Sequence, residues 1–275
     1  MKIRYVVKIG SSSLTHADGS LATERMLPFI SGIAQLRLDG QQVVLVTSGA
    51  VAAGYRLAGF DQRPCALIEK QAAAAVGQSQ LIQAYHQFLA PYGLNVAQVL
   101  LTAGDLGDAE RSQNAVNVLN YLLAQPIIPV VNENDTVAVE ELTFGDNDQL
   151  SALVAEAIDV TALVILTDTD GLYDKNPNQY TDARRISRIM RWDDRLLAMA
   201  SGNSSHGTGG MYSKLQAVAR VLSRGGACFI GQAQTTSEFL SIFSGQGRGT
   251  YFGDTEQIKL LFTNPDFGLQ LSPVS

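Results

Sequence analysis

Apolar residues in this chain come in short solid runs separated by amphipathic stretches. Ile3–Ile9 and Val43–Thr47 are apolar nearly throughout, without polar alternation, as expected of strands buried on both faces. Between them, Thr23–Leu38 carries Leu27, Ile30, Ala34 and Leu38 at helical spacing, which predicts a helix with those four on its inner face. Cys65–Ala90 reads as mostly helix through the polyalanine Ala72–Ala75, with a stop at Pro91. Asn95–Leu100 and Ile127–Asn132 read as further strands around a helix near Arg111–Ala124. Leu150–Ile158 reads as a short helix, and Ala162–Thr167 as another apolar strand. A glycine-rich stretch then runs into a helix whose Met211, Leu215, Val218 and Leu222 form one stripe, followed by a last strand near Ala227–Ile230. The tail beyond Phe252 has weak periodicity and no clear element. Strands that alternate with helices and are apolar throughout predict an α/β protein with a mainly parallel sheet covered on both faces. The best lobe boundary falls near Asp159–Ala162.

Composition narrows the function classes. At 275 residues and 46% hydrophobic, the chain can fill a core as one large domain or two lobes. A net charge of -6, a pI near 5.1 and the lack of any Lys/Arg cluster argue against sequence-independent binding of nucleic acid. Cys65 and Cys228 have neither metal-ligand spacing nor a disulfide framework, which fits a reducing compartment. The first residues lack the apolar core of a signal peptide, and no apolar run approaches the roughly 18 residues of a membrane span. A soluble, cytoplasmic protein is expected.

The chemistry gathers at the ends of the strands, where open α/β sheets bind their ligands. The first strand ends in Lys8-Ile9-Gly10-Ser11-Ser12-Ser13, and the second in Thr47-Ser48-Gly49-Ala50. Ile127–Val131 leads to Asn132-Glu133-Asn134-Asp135, and Gly145-Asp146-Asn147-Asp148 follows. Leu163–Leu166 ends in Thr167-Asp168-Thr169-Asp170-Gly171. Singly, each has a plain structural explanation: a surface charge at a strand end, a tight turn, a helix N-cap. All five at strand ends or just beyond favour a ligand cleft. The run Gly207-Thr208-Gly209-Gly210-Met211-Tyr212-Ser213-Lys214 adds a glycine loop at a helix N-terminus, where backbone N–H groups and the helix dipole hold phosphate. It is not the P-loop, whose pattern is absent from the sequence.

In order, Val6–Ser12, Val46–Gly54, Val131–Asp135, Gly145–Asp148 and Gly207–Met211 with Lys214 resemble the glutamate 5-kinases of the amino acid kinase superfamily. The resemblance covers about residues 3–252 and implies a three-layer αβα sandwich. It implies an acceptor lobe of about 1–159, an ATP lobe of about 160–252, and ATP-dependent phosphorylation of the glutamate side chain in proline biosynthesis. Lys8 and Lys214 would clamp the moving phosphoryl group, with Asp148 orienting both. Ser48, Gly49, Asn132, Asp135 and Asn147 would receive glutamate, Asp135 facing its ammonium. Lys8, Gly10, Ser11, Thr167, Asp168, Thr208, Gly209, Gly210, Met211, Tyr212, Ser213 and Lys214 would receive ATP. Mg²⁺ is expected on ATP oxygens and water, without a protein cage. Homo-oligomers and feedback by L-proline are further implications.

The chain departs from the family pattern in places. Ala103 and Val116 stand where arginines are common, and Ser213 where threonine is. Only Gly253–Ser275 follows the kinase core, so a kinase-only form without a PUA domain is expected. Two other readings remain at this point. One is the same fold with N-acetylglutamate, aspartate or a nucleoside monophosphate as acceptor; the other is a non-catalytic ligand sensor, which would have no need of Lys8, Asp148 and Lys214 together.

Overall fold

The computed structural model describes residues 3–138, 147–160, 162–177, 179–201 and 210–262. Strands β1 (Arg4–Ile9), β2 (Gln42–Val46), β3 (Asn95–Leu101), β4 (Ile127–Glu133) and β5 (Ala162–Leu166) lie close to their expected positions. A short excursion holds β6 (Leu172–Tyr173), β7 (Arg185–Ile186) and β8 (Arg188–Ile189), and β9 (Ala227–Gly231) and β10 (Gly249–Phe252) follow. The helices are α1 (Ser11–Leu14), α2 (Thr23–Leu38), α3 (Ala50–Gly54), α4 (Leu67–Leu89), α5 (Ala103–Gly107), α6 (Ala109–Ala124) and α7 (Asp148–Ala157). Then come α8 (Arg195–Ser201), α9 (Met211–Leu222), α10 (Thr236–Phe243) and α11 (Thr255–Phe262).

Eight strands form one sheet in the order β3-β4-β2-β1-β5-β9-β10-β8. Its pairings are parallel except for β10 against β9. Side chains alternate across each strand and so divide between two cores. Tyr5, Val7, Ile9, Val43 and Leu45 meet α2, α4, α10 and α11 on one side. Val6, Val44, Val46, Leu163 and Ile165 meet α6, α7 and α9 on the other. This is the expected three-layer αβα sandwich. Lys8 belongs to the second face by the same alternation, beside Val46 on β2 and Ile165 on β5. The strand that carries it is central and covered, so its ammonium cannot reach bulk water.

Three expectations need correction. The inner face of α2 is Met26, Phe29, Ile30 and Ile33, whereas Leu27 is 46% and Leu38 59% exposed. The helix carries two overlapping apolar stripes that share Ile30 and Ala34, and the one with Met26 and Phe29 buries more side chain. The strand near Ala227–Ile230 is not the last, because β10 returns antiparallel beside it. The stretch beyond Phe252 is not featureless either: α11 buries Ile258, Leu261 and Phe262, and the Tyr5 hydroxyl donates to Leu261 O at 2.8 Å. Trp192, Leu196 and Leu197 pack against the second core.

Candidate active site

β1 and the N-terminal ends of α7 and α9 converge at one buried carboxylate. Asp148, the first residue of α7, is 0% exposed. Its Oδ1 is 2.8 Å from Lys8 Nζ and its Oδ2 is 3.0 Å from Lys214 Nζ. The Ser213 hydroxyl donates to the same Oδ2 at 2.8 Å. An acidic residue suits the first turn of a helix, but a lysine in the first turn of α9 opposes the helix dipole by roughly 0.3–1 kcal/mol. Asp148 offsets that cost. The two helices are held together along their length: Gln149 Nε2 donates to Ser213 O at 3.1 Å, and at the far end Arg220 and Arg224 both pair with Glu156.

The β1–α1 turn passes close to Lys8 at Gly10. A Cβ on Gly10 would lie 3.3 Å from Leu166 O and 3.6 Å from Lys8 Nζ, so glycine keeps this approach open. Beside it, Gly49 at the end of β2 has φ +101°, a left-handed conformation that suits glycine.

A second buried group forms where β2, β4 and α7 meet. Asn147 Nδ2 donates to Thr47 O at 2.7 Å and to Asn132 Oδ1 at 2.7 Å, with Ser48 Oγ 3.4 Å away. Asn132 Nδ2 and Asp135 Oδ1 are buried and find no hydrogen-bond partner among the described residues. One is a donor and the other an acceptor, which suits a zwitterionic ligand. Asp135 is 3% exposed; burial first, and the Glu133 carboxylate second, push its pKa up to about 7. Beneath this group the Thr47 hydroxyl meets the Tyr85 hydroxyl at 2.6 Å.

Beyond β5 opens a cavity of about 870 Å³ lined by Asp168, Tyr173, Lys175, Met211 and Arg248 among others. Its rim is tied at Asp170, which accepts from Tyr173 OH at 2.8 Å and from Arg248 Nε at 3.2 Å. Burial works to raise the Asp170 pKa, but these bonds outweigh it and hold the carboxyl below its usual value.

A family model, "Amino acid kinase family", matches residues 4–232. The chain belongs to that family. Among its members it groups with the glutamate 5-kinases. It is 47% identical to glutamate 5-kinase 1 of Bacillus licheniformis over 93% of this chain and 70% of that protein. Glutamate 5-kinase of Geobacillus thermodenitrificans is also 47% identical, over 91% of this chain and 67% of that protein. In fold the chain resembles carbamate kinase from Giardia lamblia bound to AMP-PNP, with a TM-score of 0.64 at 15% identity, over 92% of this chain and 99% of that one.

For a member of this family, several of the expected site residues fall into the two neighbouring groups described. Lys8, Asp148, Ser213 and Lys214 share the bridge, and Ser48, Asn132 and Asn147 share the β2–β4–α7 group with Asp135 close by in sequence. Gly10, and Ser11 at the start of α1, lie beside Lys8. Thr167 is buried, with its hydroxyl donating to Asp168 at 3.0 Å; Asp168, Gly210 and Met211 line the cavity, while Tyr212 is exposed. Asp146, Thr208 and Gly209 lie outside the described residues. Sequence reasoning missed Tyr85, Tyr173 and Arg248. Asp170-Gly171 was a visible strand-end signal, but nothing in the sequence pairs Asp170 with Arg248. Among the described residues no helix is long and apolar enough to cross a membrane, and no three His, Cys, Asp or Glu side chains group as metal ligands.

Proposed function

We propose that this site transfers the γ-phosphoryl group of ATP to the side-chain carboxylate of L-glutamate, giving L-glutamyl 5-phosphate and ADP, the first step of proline biosynthesis. The observation that carries the reading is the buried bridge in which Lys8 and Lys214 hold opposite oxygens of Asp148. A glutamate side chain has a pKa of about 4.3, so the acceptor arrives ionised and needs no general base. The barrier is repulsion between two anions, and two fixed ammonium groups lower it by electrostatic stabilisation. Asp148 keeps them in place, so little reorganisation accompanies the transfer.

The phosphates would lie against the open Gly10 turn and the N-terminus of α9, and the nucleotide in the 870 Å³ cavity. Mg²⁺ would be held chiefly by phosphate oxygens and water, and supplies charge neutralisation when bound. Asp135 Oδ1 would take the α-ammonium, and Asn132 Nδ2 the α-carboxylate. An N-acetylated acceptor brings no cation and would leave Asp135 buried without a counter-ion. Residues of about 1–159 thus serve the acceptor and about 160–252 the nucleotide, with Lys8 reaching across. The names of the curated relatives support the substrate. A cytoplasmic site of action, homo-oligomers and feedback by L-proline belong to the same proposal and rest on the resemblance.

The test is ADP release from Mg-ATP with a panel of acceptors: glutamate, N-acetylglutamate, aspartate and a nucleoside monophosphate. Glutamate should be preferred by at least an order of magnitude in kcat/KM. A preference for any other member of the panel would reassign the acceptor.

A further inference from the structure

Asp135 has a buried acidic neighbour. Glu133 closes β4, and Asp135 follows two positions later in the turn that leaves the strand, closed by Val137 N–H and Ala138 N–H donating to Asn134 O at 3.1 and 2.9 Å. Both are buried, at 4% and 3% exposed, while Asn134 between them is only half-buried and accepts from the Thr136 hydroxyl at 2.6 Å. Asp135 Oδ1 lacks a hydrogen-bond partner among the described residues. Ionising an unpaired carboxyl at this depth is costly, and a second carboxylate nearby makes it costlier.

We propose that Glu133 and Asp135 together hold one proton in the acceptor-free enzyme and release it to solvent when the ammonium of glutamate seats on Asp135. The inference rests on the acceptor reading above and deepens it. Glu133 is then a positioning residue, acting on the ammonium through the charge state of Asp135. The proton balance is simple. One carboxyl O–H bond breaks, its proton passes to the buffer, and the ammonium keeps its own protons while donating a hydrogen bond to the new carboxylate.

The surroundings agree with this assignment. Glu133 is the charged group that acts on Asp135, and with burial it brings the titration to about 7, where the exchange is cheap near neutrality. From α4, the uncharged Gln78 donates to Glu133 O at 3.4 Å; from β3, Leu101 stands opposite Glu133 in register. From α7 come Asn147, bonded to Thr47 and Asn132, and Asp148, engaged by the two lysines. An acceptor without the ammonium cannot displace the proton, which gives selectivity for a free amino group. Acid should weaken glutamate binding about tenfold per pH unit below about pH 7.

Calorimetric titration of the whole chain with L-glutamate, in two buffers of different ionisation enthalpy, counts the released proton. We expect release to be nearly complete in acid and to fall away as pH rises through the range in which Asp135 ionises in the acceptor-free enzyme. Glu133→Gln should shift this profile to lower pH, and Asp135→Asn should abolish release at every pH, with melting curves confirming that each variant is folded. Glutamate that binds the unaltered enzyme without proton release at any pH in that range would overturn the shared proton and leave the acceptor reading standing. An unshifted profile in folded Glu133→Gln would remove Glu133 from it. Absence of both binding and turnover with glutamate would overturn the acceptor reading itself.

Discussion

Lys8 Nζ lies 2.8 Å from Asp148 Oδ1, and both side chains are shut off from solvent. Well-packed apolar residues of similar volume would often stabilise a fold as well as such a pair does, so stability alone is a weak reason for it. With Lys214 on the other oxygen, one carboxylate fixes the spacing of two ammonium groups carried by distant parts of the chain. That is preorganisation for a migrating negative charge.

Replacing Lys8 or Lys214 with Ala should lower kcat by about 10²–10³-fold, with glutamate KM changed only a few-fold, because the charge matters most as the phosphoryl group moves. Steady-state kinetics at saturating ATP give both numbers. Near-normal turnover in Lys214→Ala would place the phosphate elsewhere.

Asp148→Asn keeps the shape and removes the charge. We expect a comparable loss of kcat together with a lower Tm, since two buried lysines lose their shared partner. Glu156→Gln, at the far end of the same helix pair, breaks ion pairs with the exposed Arg220 and Arg224 and should cost about 1 kcal/mol or less. Its kcat should stay within about twofold. Parallel losses in the two variants would mean that helix packing, not the lysine bridge, is what the kinetics report.

Asp135→Asn should raise glutamate KM at least tenfold and leave ATP affinity, measured without glutamate, almost unchanged. Its effect on stability runs the other way. The folded-state pKa is raised to about 7, so the unfolded chain releases this proton first and the native protein loses stability as pH climbs from about 4 to about 7. Without glutamate the variant should therefore melt higher than the parent at pH 8, by at most about 4 kcal/mol in stability, with the gain vanishing near pH 4. A variant that melts lower at pH 8 would make Asp135 a structural cap on the turn after Asn132.

Gly10→Ala puts a methyl 3.3 Å from Leu166 O and 3.6 Å from Lys8 Nζ. The fold should survive with a small drop in Tm, while ATP KM rises about tenfold because the methyl fills the approach to the phosphates. An unchanged ATP KM would move the phosphates away from this turn.

Much of this arrangement was legible in the sequence, for physical reasons. Strands β1 to β5 announce themselves because a parallel sheet covered on both faces needs solid apolar runs. α2 was found with its ends, but not with its face, since two apolar stripes overlap on it and only the partner layer chooses between them. β10 has four residues and α11 eight, too short for either period to emerge. Lys8, Asp148 and Lys214 each stood out at a strand or helix end, yet their contact depends on how α7 and α9 close over β1. The Thr47–Tyr85 and Asp170–Arg248 pairs carry no local signal, because each is made by segments with no common motif.

The most direct measurement follows an oxygen atom. Glutamate carrying ¹⁸O in its side-chain carboxylate is incubated with Mg-ATP and the enzyme, and the product is trapped with hydroxylamine. If that carboxylate attacks the γ-phosphorus, glutamyl hydroxamate forms and the released phosphate carries ¹⁸O, whereas N-acetylglutamate gives little hydroxamate. Unlabelled phosphate, or equal hydroxamate from the acetylated acceptor, would show that the carboxylate of glutamate is not the group this site was built to phosphorylate.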